Sequence, residues 1–114
     1  MRNTFLLLWA VIVCLATSCN PPGELQVKND ISRATMVDVQ WGPIYLATEL
    51  LPGETSPLRV IENFDEELPA SRPITFTLNA NGQSIFLETE ASFRLDEDQT
   101  LLIEINDETE VRAP

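Results

Sequence analysis

Asn81-Gly82 stands between two runs of strand-forming residues, Ile74-Thr75-Phe76-Thr77-Leu78-Asn79-Ala80 and Gln83 to Thr89. A type I′ turn needs φ > 0 at both central residues, which Asn and Gly tolerate best, so this dipeptide is the strongest short hairpin signal. A two-residue loop here pairs positions whose numbers sum to 163. Phe76 then faces Leu87, Leu78 faces Ile85, and Thr77 faces Phe86 on the other side. The apolar sets of the two strands meet, so turn chemistry and hydrophobic pattern specify one register.

A period of two also runs through the rest of the chain from Glu24. Leu25 and Val27 alternate with Gln26 and Lys28, and Asn29-Asp30 opens a turn. Val37, Val39 and Trp41 alternate with Asp38 and Gln40 until Gly42-Pro43 breaks the run. Ile44 to Leu51 fits two patterns: Ile44, Leu46 and Leu50 suit a strand, whereas Ile44, Ala47 and Leu51 suit a helical face. The β-branched and aromatic neighbours favour the strand. Leu51-Pro52-Gly53-Glu54 has Pro and Gly at the central positions of a type II turn.

Leu58 to Glu62 reads as a further strand. A helix capped by Ser56 with Pro57 at its first position competes, because Val60, Ile61, Phe64 and Leu68 have helical spacing. Asn63 to Arg72 reads as an acidic, proline-bearing loop. Phe93 and Leu95 close another strand, Asp96-Glu97-Asp98 turns, and Leu101, Ile103 and Ile105 alternate around Glu104. Asn106-Asp107 turns again before a short Thr109-Glu110-Val111 end. Six or seven short strands with turns between them predict an all-β domain over 24–114, a small antiparallel β-sandwich or open barrel. This arrangement is similar to the immunoglobulin-like domains of cell-envelope lipoproteins, although the Cys-Trp-Cys hallmark of true immunoglobulin domains is missing. Trp41 is expected in the core.

The N-terminus has a different grammar. Met1-Arg2-Asn3-Thr4 supplies a positive start, Phe5 to Leu15 is continuously apolar, and small residues follow. That order is the layout of a secretory signal helix. A spanning helix needs about 20 apolar residues, and this run stops at Thr17-Ser18 before Asn20-Pro21-Pro22. Ala16-Thr17-Ser18-Cys19 resembles the lipobox of bacterial lipoproteins, with Ala16 where that family usually carries Leu and Leu15 one position further back. Cys14 follows the branched Ile12 and Val13, whereas Cys19 follows two small residues, so Cys19 is the better acylation site.

The resemblance implies that residues 1–18 are a signal peptide removed at Cys19, whose thiol carries a diacylglyceryl group and whose amine carries an acyl chain. Two or more chains anchor stably where one does not. Asn20, which is not Asp, implies the outer membrane in preference to the inner. Ordinary cleavage near Ser18 with an unmodified Cys19 is the competing reading. Residues 19–23 form a short tether that holds the domain within roughly 20 Å of the lipid at ~3.3–3.6 Å per residue.

Removal of the leader leaves 96 of the 114 residues, enough for one small domain. Neither Cys14 nor an acylated Cys19 contributes a thiol to it. Arg2 is the only charge in 1–18, so 6 of the 7 basic residues remain beside 18 acidic ones and the formal net charge moves from −11 to −12. Such a surface repels phosphates, which argues against nucleic-acid binding. The chain has no histidine, which excludes His-based triads, His general bases and the commonest zinc ligand. The mature glycines are isolated and form no phosphate loop.

No pair among the many carboxylates is singled out for glycoside hydrolysis, so no catalytic residue and no cofactor is assigned. Asp65-Glu66-Glu67, and Asp96-Glu97-Asp98 with Asp107, are calcium-ligand candidates without the spacing of an EF-hand loop. The composition and leader together lead to the expectation of a lipid-anchored, non-catalytic envelope domain that binds or scaffolds an envelope protein or ligand. An acidic inhibitor of a basic enzyme such as lysozyme and a calcium-binding module are the alternatives.

Overall fold

The computed structural model describes residues 21–114; the signal-peptide reading of residues 1–18 and the acylation reading of Cys19 lie outside the described residues. Ten strands follow one another: β1 (Gly23–Asp30), β2 (Thr35–Trp41), β3 (Ile44–Leu50), β4 (Arg59–Ile61), β5 (Ala70–Arg72), β6 (Ile74–Ala80), β7 (Gln83–Thr89), β8 (Phe93–Leu95), β9 (Thr100–Asn106) and β10 (Val111–Arg112). There is no helix among the described residues. The strands form a three-stranded sheet ordered β4-β1-β9, a five-stranded sheet ordered β10-β7-β6-β2-β3 and a two-stranded sheet of β5 and β8.

Neither ambiguous segment is a helix. β3 places Ile44, Leu46 and Leu50 in the core as the strand reading requires. The helix competing for Ser56 to Leu68 does not form, because Ser56 to Ile61 runs antiparallel along β1 and the chain then turns at Glu62 to Glu66. Ser56 N–H donates to the Val27 carbonyl at 2.8 Å while the Ser56 hydroxyl accepts from Val27 N–H at 2.8 Å. Pro57 interrupts this ladder, having no N–H to give, and β4 resumes it with Ile61 opposite Gly23.

Three features depart from the antiparallel, six- or seven-stranded expectation. First, β1 pairs in parallel with β9, Leu25 opposite Leu101 and Val27 opposite Ile103. Parallel neighbours require a long crossover, and here the whole chain between them supplies it. Second, the segment read as a loop over Asn63 to Arg72 ends in β5, which pairs with β8 from Ala70 opposite Leu95 to Arg72 opposite Phe93. Third, β2 does not alternate throughout. The register shifts between Val37 and Gln40, and Asp38 has φ 51°, so a bulge turns Val37 to the outer face while Met36, Val39 and Trp41 face inward.

The architecture is sandwich-like. One buried cluster draws Leu25, Val27, Ile103 and Ile105 from the three-stranded sheet and Met36, Val39, Trp41, Leu50, Ile74 and Phe76 from the five-stranded sheet. Trp41 is fully buried, and its indole Nε1–H donates to the Phe93 carbonyl at 3.0 Å. The domain has two distinguishable ends. At one, Pro22 leads into β1; its carbonyl accepts from Asp98 N–H at 3.1 Å, and Ile61 lies opposite Gly23. At the other, the end of β1, the end of β9 and the β6–β7 turn come together. There Ser32 bonds Asp107, and Thr35 is opposite Asn79.

Candidate binding face

The β6–β7 hairpin has the register that its turn demands. Phe76 is opposite Leu87, Leu78 opposite Ile85 and Thr77 opposite Phe86, with Asn81 at φ 53° and Gly82 at φ 75°. Its inward face continues rows that cross the five-stranded sheet. One row runs Leu50, Met36, Leu78, Ile85 through β3, β2, β6 and β7. Leu50 and Met36 are buried, Leu78 is half-buried, and Ile85 is 54% exposed. The gradient has a simple cause: three strands cannot cover five. The hairpin reaches past the opposing sheet.

β7 is also exposed along its outer edge. β10 pairs only with its last residues, Val111 opposite Thr89 and Arg112 opposite Glu88. In a two-residue hairpin the pair flanking the turn exchanges hydrogen bonds, and bonded pairs alternate thereafter. Gln83, Ile85 and Leu87 thus direct their backbone groups to β6, while Ser84 and Phe86 direct theirs outward. On that outer side no strand among the described residues pairs with the stretch Gln83–Leu87. The stretch carries no charge, no proline and no bulge, the devices by which exposed edges are usually blunted. Phe86, on the outer face, is 52% exposed.

Beside the hairpin's inner face an apolar groove of about 160 Å³ is lined by Ile31, Phe76, Leu78, Leu87, Ile105 and Val111. Asp107 forms part of its rim. The Asp107 carboxylate accepts from Ser32 N–H at 2.9 Å and from the Ser32 hydroxyl at 2.7 Å. The side-chain bond, with the backbone bond behind it, holds its pKa below the ordinary 3.8. The rim carboxylate is therefore a fixed negative charge at neutral pH.

The acidic candidates are distributed differently from their sequence grouping. Asp65-Glu66-Glu67 and Asp96-Glu97-Asp98 both lie at the Pro22 end, whereas Asp107 lies at the far end of β9. Several of these carboxylates are engaged by arginines: Asp65 with Arg59 at 3.6 Å, Glu66 with Arg72 at 2.7 Å and Asp96 with Arg94 at 2.9 Å. Among the described residues no group of three or more Asp, Glu, His or Cys side chains is arranged to hold a metal ion. The residues that sequence reasoning missed are Ile85 and Phe86 as surface groups. Alternation assigns Ile85 to a core face but says nothing of whether a second sheet extends far enough to cover it.

These features define a small, sandwich-like all-β domain whose β7 edge is left unpaired from Gln83 to Leu87 among the described residues. No family model, curated protein or solved structure matches the chain.

Proposed function

We propose that this chain is a lipid-anchored, non-catalytic lipoprotein of the bacterial cell envelope, held to the outer membrane by an acylated Cys19, whose immunoglobulin-like domain binds an extended segment of an envelope protein. The observation that carries the binding reading is the β7 edge. It offers unpaired backbone groups at Ser84 and Phe86 with Ile85 and Phe86 exposed on its two faces. An added strand gains main-chain hydrogen bonds from such an edge and side-chain selectivity from alternate pockets. The adjoining groove supplies one such pocket. The edge sits at the end of the domain opposite Pro22, where an anchored protein presents it away from the bilayer.

The test is site-specific photocrosslinking in cells producing the full-length protein. A photoreactive residue at Phe86 is expected to capture one discrete envelope protein, and the same residue at Glu49, on the opposite edge of the sheet, is expected not to. Equal capture at both positions, or none at Phe86, contradicts the assignment. The net charge of −12 supports a second reading, an acidic inhibitor of a basic enzyme such as lysozyme. The two separate by salt: attraction between exposed charges is screened within a Debye length of about 8 Å at physiological ionic strength, whereas strand addition persists.

A further inference from the structure

We infer that Phe64 inserts into the headgroup layer of the membrane beside the acylated Cys19, so that the domain stands in one orientation with β7 facing away. This rests on the lipid-anchor reading above. Phe64 is 86% exposed, the most exposed of the large apolar side chains among the described residues. It lies at the tip of the turn that follows β4, closed by Asp65 N–H donating to the Glu62 carbonyl at 2.9 Å. Because Ile61 is opposite Gly23, that turn projects at the end of the domain where the chain enters.

Chain length then sets the distance. Pro22 is already held by the Asp98 N–H, so only three residue steps separate it from Cys19. At no more than ~3.6 Å per residue these span at most about 11 Å, whatever their conformation. A lipid on Cys19 thus draws the Phe64 turn to the bilayer surface, where an aromatic ring exchanges water for the interfacial region. The surroundings select the lipid. Glu67, Glu97 and Asp98 stand at the same end, and none is in an ion pair among the described residues. Carboxylates at this end of the domain oppose anionic headgroups and suit zwitterionic ones that carry an ammonium group.

The test uses the full chain, lipidated in cells, purified and reconstituted into vesicles of phosphatidylethanolamine and phosphatidylcholine. The leader removes Trp9, and Trp41 is buried, so Phe64→Trp adds the one exposed indole of the mature protein. Its emission is expected to shift to shorter wavelength and to be quenched by lipids brominated near the headgroup, while the parent's Trp41 emission is not. Replacing part of the phosphatidylcholine by phosphatidylglycerol is expected to reduce that quenching, and undiminished quenching overturns the headgroup preference. A lipidated, vesicle-bound Phe64→Trp protein whose emission stays unshifted and unquenched overturns the orientation while leaving the anchor intact. An unmodified Cys19 thiol, found by mass spectrometry in the same vesicle-bound preparation, overturns the anchor itself.

Discussion

Asn29 Nδ2 donates to the Leu50 carbonyl at 2.8 Å from a fully buried position. The same amide nitrogen donates to the Ala34 carbonyl at 2.9 Å, and Oδ1 accepts from Ile31 N–H at 3.0 Å. One side chain thus satisfies the end of β3, the approach to β2 and the turn after β1, at the seam between the two large sheets. Replacement by Ala takes this donor from two buried carbonyls and this acceptor from a half-buried N–H, at about 1–3 kcal/mol for each group left unsatisfied. Asn29→Ala is expected to lose about 3 kcal/mol or more. In urea the midpoint should fall with an unchanged slope, since the surface exposed on unfolding stays the same. A variant as stable as the parent contradicts this role.

The β6–β7 turn makes a narrower prediction. A Cβ on Gly82 meets nothing within 4 Å, so substitution costs only what φ +75° imposes on an L-residue. Gly82→Ala is therefore expected to cost about 1–2 kcal/mol, lowering Tm by several degrees at roughly 4–8 °C per kcal/mol for a domain of this size. Thermal melts of the two proteins decide it.

The Ser32–Asp107 pair makes a pH prediction. Because its folded pKa lies below the ordinary 3.8, Asp107 contributes stability above that ordinary value and loses it as pH falls through the folded one. Asp107→Asn is expected to melt below the parent at neutral pH, with a gap that stays constant down to about pH 4 and narrows in stronger acid. A gap that widens toward acid has the wrong sign.

The β7 edge is tested by proline at two adjacent positions. The Ser84 N–H points away from β6, so Ser84→Pro removes a donor that the fold does not use, an edge placement that sheets accept. The variant is expected to fold and to lose strand addition. At Ile85 the N–H belongs to the β6–β7 ladder, and Ile85→Pro is expected to destabilise the sheet. Circular dichroism melts and the Phe86 crosslink, read on both variants, check the pattern.

What the sequence could express was local. The Asn81-Gly82 hairpin and the Pro52-Gly53 turn, with Glu54 N–H bonding the Leu51 carbonyl at 2.9 Å and Gly53 at φ 88°, follow from backbone preferences of two adjacent residues. What it could not express was long-range. The β1–β9 pairing joins Leu25 to Leu101, and no neighbouring residue signals a partner that far along the chain. The bulge at Asp38 reassigns Val37 because Trp41 and Met36 must both reach the core, a demand set by packing. The short β5 reads as loop because Ala70-Ser71-Arg72 has no alternation, and only β8 makes it a strand. The uncovered hairpin is invisible in the same way, since exposure of Ile85 depends on where the other sheet ends.

The proposed display of the β7 edge depends on attachment through one sulfur atom, that of Cys19. Mass spectrometry of the mature protein, purified from the membranes of the organism that makes it, tests this directly. The expected N-terminal peptide begins at Cys19 and is heavier than its sequence by a diacylglyceryl group and an acyl chain. A peptide beginning at Met1, or at Cys19 with an unmodified thiol, contradicts it.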